Sequence, residues 1–181
     1  SIDGPIRNSY YTSHTGFLLR KYIDPVTGSE ASGKSAVPYI IFRYGEILLN
    51  AAEAAYYLNQ LGVANYKGSN TLQLSSDCLN EVRERAGGTA FRIESSDLTL
   101  ALLQNERKIE LAFEDHRFWD IRRWMIAPQK MTATLTGMYI EKTDVSEQYP
   151  KGRIYTRRAI PQNRQSSWKD AMYYIPFPTE E

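Results

Sequence analysis

The chain has 181 residues, of which 42% are hydrophobic and 24% charged, a balance that excludes wholesale disorder. Lys and Arg number 22 against 21 Asp and Glu, so the formal net charge is +1, whereas a protein that neutralises nucleic-acid phosphates would usually be more basic. The single cysteine, Cys78, excludes an internal disulfide and a cysteine-based zinc site.

Tyrosine is the most frequent aromatic residue, with 13 copies. Its ring is apolar and its hydroxyl is wetted, so a tyrosine-rich surface suits contacts with a partner or a sugar. Half-buried tyrosines at domain edges are the alternative for any single one. No apolar run approaches the roughly 18 residues of a membrane-spanning helix, and no signal peptide is visible at the start of the chain.

The first 39 residues are predicted to be irregular, because turn-forming Gly and Pro residues interrupt them repeatedly. A short strand is expected over residues 16–23. Residues 29–35 have a loose similarity to a phosphate-binding loop but lack its spacing, so a nucleotide site is disfavoured.

Two helices are predicted next, over residues 40–61 and 71–86, each followed by glycine. Apolar residues recur every three or four positions in both, which is the period of one helix face. The predicted faces are Ile40, Tyr44, Leu48, Ala51, Ala55 and Leu58 in the first helix, and Leu72, Leu79, Val82 and Ala86 in the second.

A third helix is predicted to begin after Ser96 and to end near residue 113. A fourth is predicted over residues 115–127, ending at Pro128. The expected buried faces are Leu98, Leu102, Asn105, Ile109 and Phe113 in the third helix, and Phe118, Ile121 and Met125 in the fourth.

Residues 128–181 are again predicted to be largely irregular. Short extended pieces are expected at 132–137 and 139–141, and the alternation over 152–161 predicts a strand. Flanking segments of this length favour packing against structure outside this chain.

The predicted fold class is therefore mainly α, with four main helices in tetratricopeptide-like hairpins, long irregular flanks and a few short strands. We expect a single domain over residues 1–181. It would comprise an irregular leader at 1–39, a helical core at 40–127 and a loop-rich C-terminal segment at 128–181.

Three glutamates, Glu106, Glu110 and Glu114, are spaced four residues apart on the third predicted helix. A glycosidase needs carboxyl groups that flank the scissile bond, but carboxylates on one helix face point the same way. An ion-pair network with the basic residues between positions 107 and 123 is the favoured interpretation. The two histidines lie far apart in sequence, so no metal site and no cofactor is expected.

Large aromatic residues alternate with charges over residues 106–124, where Phe118, Trp119 and Trp124 fall within seven positions. Because a surface helix would not need three such residues, much of this stretch is expected to be buried between two helix pairs. The balanced charge disfavours nucleic-acid binding here. Cys78 is interpreted as a small helix-packing residue.

Four segments together resemble the C-terminal half of the SusD/RagB family, in the same order and at similar spacing. They are RYGEILLNAAEA at 43–54, LNEVRERAG at 79–87, the stretch at 106–124, and YIPFPTE at 174–180. The resemblance spans about residues 38–181. Asp115 stands where the family usually has Gly, and Phe177 where Ile is common.

The resemblance implies a non-catalytic, lipid-anchored glycan-binding protein on the surface of a Gram-negative outer membrane. Family members deliver oligosaccharide or polysaccharide to a SusC-type TonB-dependent transporter, without a nucleic-acid partner. It further implies that the lipid anchor, and much of the sugar-binding surface, lie N-terminal to this chain.

The expected glycan contacts are exposed aromatic residues outside the helices: Tyr10, Tyr11 and Trp168. Partial burial against neighbouring structure is the alternative for each of them. The alternative function is a helical-repeat scaffold that binds only protein, and a glycosidase using Glu110 is disfavoured.

Overall fold

The computed structural model describes residues 15–23, 37–38, 40–161 and 165–174. Tyr10 and Tyr11 lie outside these residues. The chain forms two compact units, which are described separately: Pro38–Asp120, and Ser1–Val37 together with Ile121–Glu181.

The first unit is built on two paired helices, α1 (Tyr44–Gln60) and α2 (Thr71–Gly87). A short hairpin connects them, and it consists of two strands of two residues each, β1 (Asn65–Tyr66) and β2 (Ser69–Asn70). Lys67 and Gly68 at its tip both have positive φ, as a tight hairpin turn requires. The sequence analysis did not predict this hairpin.

Two further helices follow α2 along the chain, α3 (Leu100–Glu110) and α4 (His116–Arg123). Single 3-10 turns at Thr89–Phe91 and Ser95–Asp97 separate α2 from α3. The side chain of Thr99 accepts a hydrogen bond from the Leu102 amide and so caps α3.

The core of this unit lies between α1, α2 and α3. It consists of Leu48, Leu49, Ala52, Leu79, Val82, Leu98, Leu103 and Leu111. Ala52 and Ser75 let α1 and α2 approach closely, and the Ser75 hydroxyl donates to the Ala52 carbonyl at 2.6 Å.

The predicted helices differ from the observed ones most at their starts. The first helix begins at Tyr44 rather than residue 40, because Arg43 has an extended backbone. Tyr44 and Ala51 are exposed, although both were expected on its buried face. The second helix agrees with its prediction within one residue, although Ala86 is exposed.

The buried face predicted for the third helix is correct only at its start, where Leu98 is buried and Leu102 packs against the core. Asn105, Ile109 and Phe113 are exposed, and the residues of α3 that are buried are Leu103, Glu106 and Arg107. The helix begins three residues later than expected, and two charged residues, Glu106 and Arg107, are buried on its inner face. A hydrophobic period cannot locate such a face, because charges are buried only when they are paired.

The fourth helix was also predicted too long. α4 ends at Arg123, and Met125 has a left-handed backbone, so the Ile126 amide donates to the Ile121 carbonyl. Ile121 is buried as expected, but Phe118 and Met125 are exposed, which contradicts the predicted face. Pro128 does not stop a helix but lies in the first turn of α5 (Ala127–Met131), where its missing N–H costs nothing.

The second unit contains α5 and an antiparallel hairpin of strands β3 (Thr136–Lys142) and β4 (Arg153–Ala159). The extended pieces predicted at 132–137 and 139–141 overlap β3, and the strand predicted at 152–161 contains β4. A final 3-10 turn covers Asp170–Tyr173.

Residues 15–23 do not form the predicted strand. They contain a turn, and the Thr15 carbonyl accepts a hydrogen bond from the Met138 amide at 2.7 Å. Gly16 has a φ of +72°, and a Cβ there would meet the Met138 carbonyl oxygen. Only glycine fits at this contact with β3.

The prediction of a mainly α fold with few short strands is confirmed. Within the described residues, no helix has the length and apolar character needed to cross a membrane.

Candidate functional site

A cavity of about 460 Å³ opens at the turn between α3 and α4. Its lining residues are Leu111, Phe113, Asp115, Arg117, Phe118 and Trp119; we call this set the aromatic pocket. The side chains of Phe113 and Trp119 are 70% and 57% exposed. The Phe118 and Trp119 rings meet edge to face, with centroids 5.0 Å apart. The pocket therefore presents apolar ring surface to the outside of its unit.

The turn that builds the aromatic pocket contains two residues with a left-handed backbone. Phe113 has a φ of +63° and Asp115 a φ of +62°. This region costs most residues about 1–2 kcal/mol and favours glycine, with Asp and Asn tolerated better than others. Phe113, in this turn, and Trp119, in α4, are both exposed.

Substitution of Asp115 tests this backbone conformation. We expect Asp115→Gly to be neutral or to raise the free energy of unfolding by up to about 1 kcal/mol, because glycine adopts the left-handed region without strain. Asp115→Val should lower it by about 1–2 kcal/mol, because a β-branched residue resists this region. Denaturant titration of both variants measures the difference, and equal stability of Gly and Val variants would contradict the assignment.

A buried ion pair holds α4 against α3 beneath the aromatic pocket. The Arg107 Nε atom donates to both carboxylate oxygens of Asp120, at 2.9 and 2.8 Å. Arg107 Nη1 donates to Asn50 Oδ1 at 2.7 Å, which ties the pair to α1. His116 lies beside it, with its Nε2 atom 3.4 Å from Glu46. These contacts fix the helix that carries Phe118 and Trp119.

A second cluster of charges joins the start of α1 to the end of α3. Arg43 donates to the carboxylates of Glu110 and Glu114 and to the Glu110 carbonyl. The hydrogen bonds to Glu114 and Glu110 raise the pKa of Arg43 far above its usual value despite partial burial. Arg85 also binds Glu110, and its exposed guanidinium is the outer member of the cluster.

The glutamates of α3 are therefore ion-paired, as the sequence analysis favoured, but with different partners. Glu106 pairs with Arg83 of α2, and Glu110 and Glu114 pair with Arg43. The basic residues at 107–123 were expected instead, because they are close in sequence. Because one guanidinium group binds both Glu110 and Glu114, these two carboxylates do not flank an open space in which a glycosidic bond could lie.

Burial also acts on two other titratable groups of this unit. Arg117 lines the aromatic pocket, and its pKa is lowered by loss of solvent, an effect that Asp120 partly offsets. Burial raises the pKa of the Cys78 thiol, so little thiolate forms near neutral pH. Cys78 packs against the core, as predicted. Among the described residues, no group of three potential ligands could hold a metal ion.

Trp168 lies in the other unit and is half-buried. The Arg122 guanidinium lies 5.2 Å from the centre of its ring, and Tyr173 packs against it edge to face at 4.8 Å. Its Nε1 atom is buried and has no acceptor among the residues that the structure describes, which costs stability until an acceptor is found.

Gln165 anchors the segment that carries Trp168. Its side-chain amide exchanges hydrogen bonds with the backbone of Leu135 and donates to the Ile160 carbonyl. Trp168 is therefore partly buried against neighbouring structure, which is the alternative expected for it from the sequence. Its role as a glycan contact stays a prediction.

The sequence analysis missed the aromatic pocket. It placed Phe113 and Phe118 on buried faces and expected Trp119 inside a packed junction, whereas all three are exposed. One signal was available, namely that Asp115 stands where related sequences usually have glycine. That substitution marks the left-handed turn which places these rings outside.

Comparisons with known proteins agree with the resemblance seen in the sequence. The model of the SusD family matches residues 3–181. SusD-like protein P2 of Formosa agariphila is 36% identical over 98 residues, which are 50% of this chain and 17% of that protein.

The solved structure of a SusD-like protein from Bacteroides fragilis is also similar. It has a TM-score of 0.51 at 30% identity, and the match covers 76% of this chain and 22% of that one. The matched part of this chain therefore covers less than a quarter of the length of either relative.

Proposed function

The chain belongs to the SusD family, and on that premise we propose that it is part of a non-catalytic glycan-binding component of an outer-membrane polysaccharide uptake system. In this proposal it acts with a SusC-type TonB-dependent transporter, to which it passes oligosaccharide or polysaccharide. The family match over residues 3–181 is the observation that carries the proposal.

The proposed location is the cell surface, at the outer membrane. Attachment is through a lipid anchor in a segment N-terminal to this chain, as the family resemblance implies. We also propose that residues 1–181 form one domain that corresponds to the C-terminal half of the family, as the resemblance of the four segments implies.

The proposed sugar contacts in this chain are Tyr10, Tyr11 and Trp168. Aromatic rings offer apolar faces to the C–H surfaces of a sugar, and their polar atoms can hydrogen-bond its hydroxyls. Trp168 is half-buried, so part of its surface remains open to a ligand, while its Nε1 atom is buried. Rings of this kind act as sets, because one ring offsets little of the cost of association.

Binding to a panel of polysaccharides, measured by affinity electrophoresis of the full-length gene product, tests the glycan proposal. We expect retardation by at least one glycan, and weaker retardation in Trp168→Ala. Trp124→Ala is the matched control, because Trp124 also stacks on a neighbouring arginine, Arg123, in the same unit. No retardation by any glycan would overturn the proposal.

The absence of catalysis is a separate prediction. Glu110 is the acid that the disfavoured glycosidase alternative would use, but Arg43 and Arg85 bind its carboxylate. We expect no sugar release above blank from the same polysaccharides, and no difference between the native chain and Glu110→Gln. Release that Glu110→Gln abolishes would show a glycosidase instead.

A scaffold that binds only protein is the second candidate function. The aromatic pocket favours it, because Phe113, Phe118 and Trp119 expose mainly apolar surface, as sites of polypeptide contact do. Two measurements separate the two functions, namely co-purification with the transporter and glycan binding in the panel above. A protein complex formed in the absence of any glycan affinity would favour the scaffold.

A further inference from the structure

One face of the β3–β4 hairpin collects positive charge. Alternate residues of a strand share a face, so Arg153, Tyr155 and Arg157 of β4 point to the same side. All three are exposed, and Tyr155 keeps 53% of its surface. We call these three residues the cationic face. Since a strand rises about 3.3 Å per residue, the face extends over about 13 Å.

No acidic side chain among the described residues pairs with the charges on this face. Within the part of the chain that the structure describes, neither Arg153 nor Arg157 forms an ion pair. The strand register also places Arg153 directly opposite Lys142. Like charges at directly opposed positions destabilise a sheet, so this arrangement does not serve the stability of the hairpin.

The other face of the same hairpin is organised differently. Arg158 stacks over the Tyr139 ring at 4.0 Å and lies 3.8 Å from the carboxylate of Glu141. Its charge is therefore satisfied within the hairpin. Within the hairpin, and among the described residues, the guanidinium groups without a carboxylate partner are therefore those of the cationic face.

We propose that the cationic face is a subsite for an anionic sugar unit, bearing a carboxylate or a sulfate, of the polysaccharide that the protein takes up. This inference rests on the proposed glycan-binding function and names its substrate class. The Tyr155 ring would stack on the sugar, and the flanking guanidinium groups would donate paired hydrogen bonds to its acidic group.

The combination of residues favours a glycan over other polyanions. A protein partner of opposite charge would require only the arginines, whereas an exposed ring between two guanidinium groups fits a flat sugar that carries an acidic substituent. Planar guanidinium groups also match carboxylate and sulfate oxygens in a two-pronged geometry that lysine does not provide.

The test is a titration of the full-length gene product with four polymers. They are an alginate for uronate, a carrageenan for sulfate, a neutral glucan, and polyglutamate as an anionic polymer without sugar. We expect an anionic polysaccharide to bind more tightly than the glucan and polyglutamate, and this binding to weaken as salt is added. Tighter binding of alginate would identify the acidic group of the sugar as a carboxylate, and tighter binding of carrageenan would identify it as a sulfate.

Variants connect that binding to the cationic face. The double variant Arg153→Gln, Arg157→Gln is expected to weaken binding of the anionic polysaccharide at least about tenfold, or about 1.4 kcal/mol. Arg158→Gln removes the same charge from the other face and should change affinity less than about twofold. The charge-retaining variant Arg157→Lys, checked for folding by circular dichroism, should fall between them.

Each other outcome overturns the inference. Binding of the neutral glucan alone would keep the proposed function and remove the anionic subsite. Equal binding of polyglutamate and polysaccharide would point to an acidic protein partner, and an unchanged affinity in the double variant would place the anion elsewhere. Binding to none of the polysaccharides would overturn the proposed function as well.

Discussion

Asp120→Ala is expected to lower the free energy of unfolding by about 3–5 kcal/mol, since it leaves the Arg107 guanidinium buried without its counter-ion. The side chains of Arg107 and Asp120 are 7% and 4% exposed, and two hydrogen bonds join them. Asn50 would remain as a neutral acceptor and would offset only part of the loss. Urea titration followed by circular dichroism measures the effect.

A surface ion pair provides the control for Asp120→Ala. Glu84 binds Arg92 at 2.8 Å, a similar distance, but both side chains are accessible to solvent. Glu84→Ala should therefore change stability little, because exposed pairs are screened. If Asp120→Ala proved as mild as Glu84→Ala, the buried pair would not hold α4 on α3.

The double variant Arg107→Leu, Asp120→Leu separates the cost of an unpaired charge from the value of the pair. Replacing both partners of a buried ion pair with apolar residues is often close to neutral. We expect the double variant to be more stable than Asp120→Ala alone. A double variant that is less stable would show that the pair itself contributes strongly to folding.

Leu79→Ala is expected to lower the free energy of unfolding by about 2–5 kcal/mol, the cost of deleting a large side chain from a packed core. Leu79 is completely buried in the cluster between α1, α2 and α3. The loss combines the transfer of its methyl groups with the cavity that they leave behind. Denaturant titration measures it against the unmodified chain.

Phe118→Ala is the matched control for the core. Its position in the sequence suggested a buried residue whose loss would cost about 3–5 kcal/mol, but its ring is 46% exposed. We now expect a loss of about 1 kcal/mol, from partial burial and its edge-to-face contact with Trp119. A loss equal to that of Leu79→Ala would mean that the ring is covered in solution.

The elements predicted correctly are those with strong local signals at both ends. α2 lies between Asn70, which accepts a hydrogen bond from the Gln73 amide, and a Gly-Gly pair, so its bounds follow from the sequence. β4 shows the alternation of a half-exposed strand, and the prediction for 152–161 contains it. Such signals act within a few residues and need no knowledge of tertiary contacts.

The errors in α3 and α4 have one physical origin. The hydrophobic period predicted that two helices fill residues 97–127. Phe113, Asp115 and Met125 have a left-handed backbone, which interrupts the helices and their period. In addition, Glu106 and Arg107 are buried because they find partners on other helices. Pairing between Arg107 and Asp120 depends on the folded geometry, which spacing along the chain does not specify.

The candidate sites also depend partly on local sequence signals and partly on tertiary contacts. Trp168 was identified from the sequence, because a tryptophan in a polar loop stands out, but its contacts with Arg122 and Tyr173 depend on the fold. The cationic face could be located only after the register of β3 and β4 was known, since that register opposes Arg153 to Lys142.

Calorimetric titration of this chain and of the full-length gene product with the same oligosaccharides tests the central claim most directly. The account predicts binding by the full-length product and, for this chain alone, at most millimolar affinity, or about −4 kcal/mol. The difference is expected because stacking rings act as sets, and the match to this chain covers under a quarter of each relative. No heat of binding from the full-length product with any glycan would contradict the account.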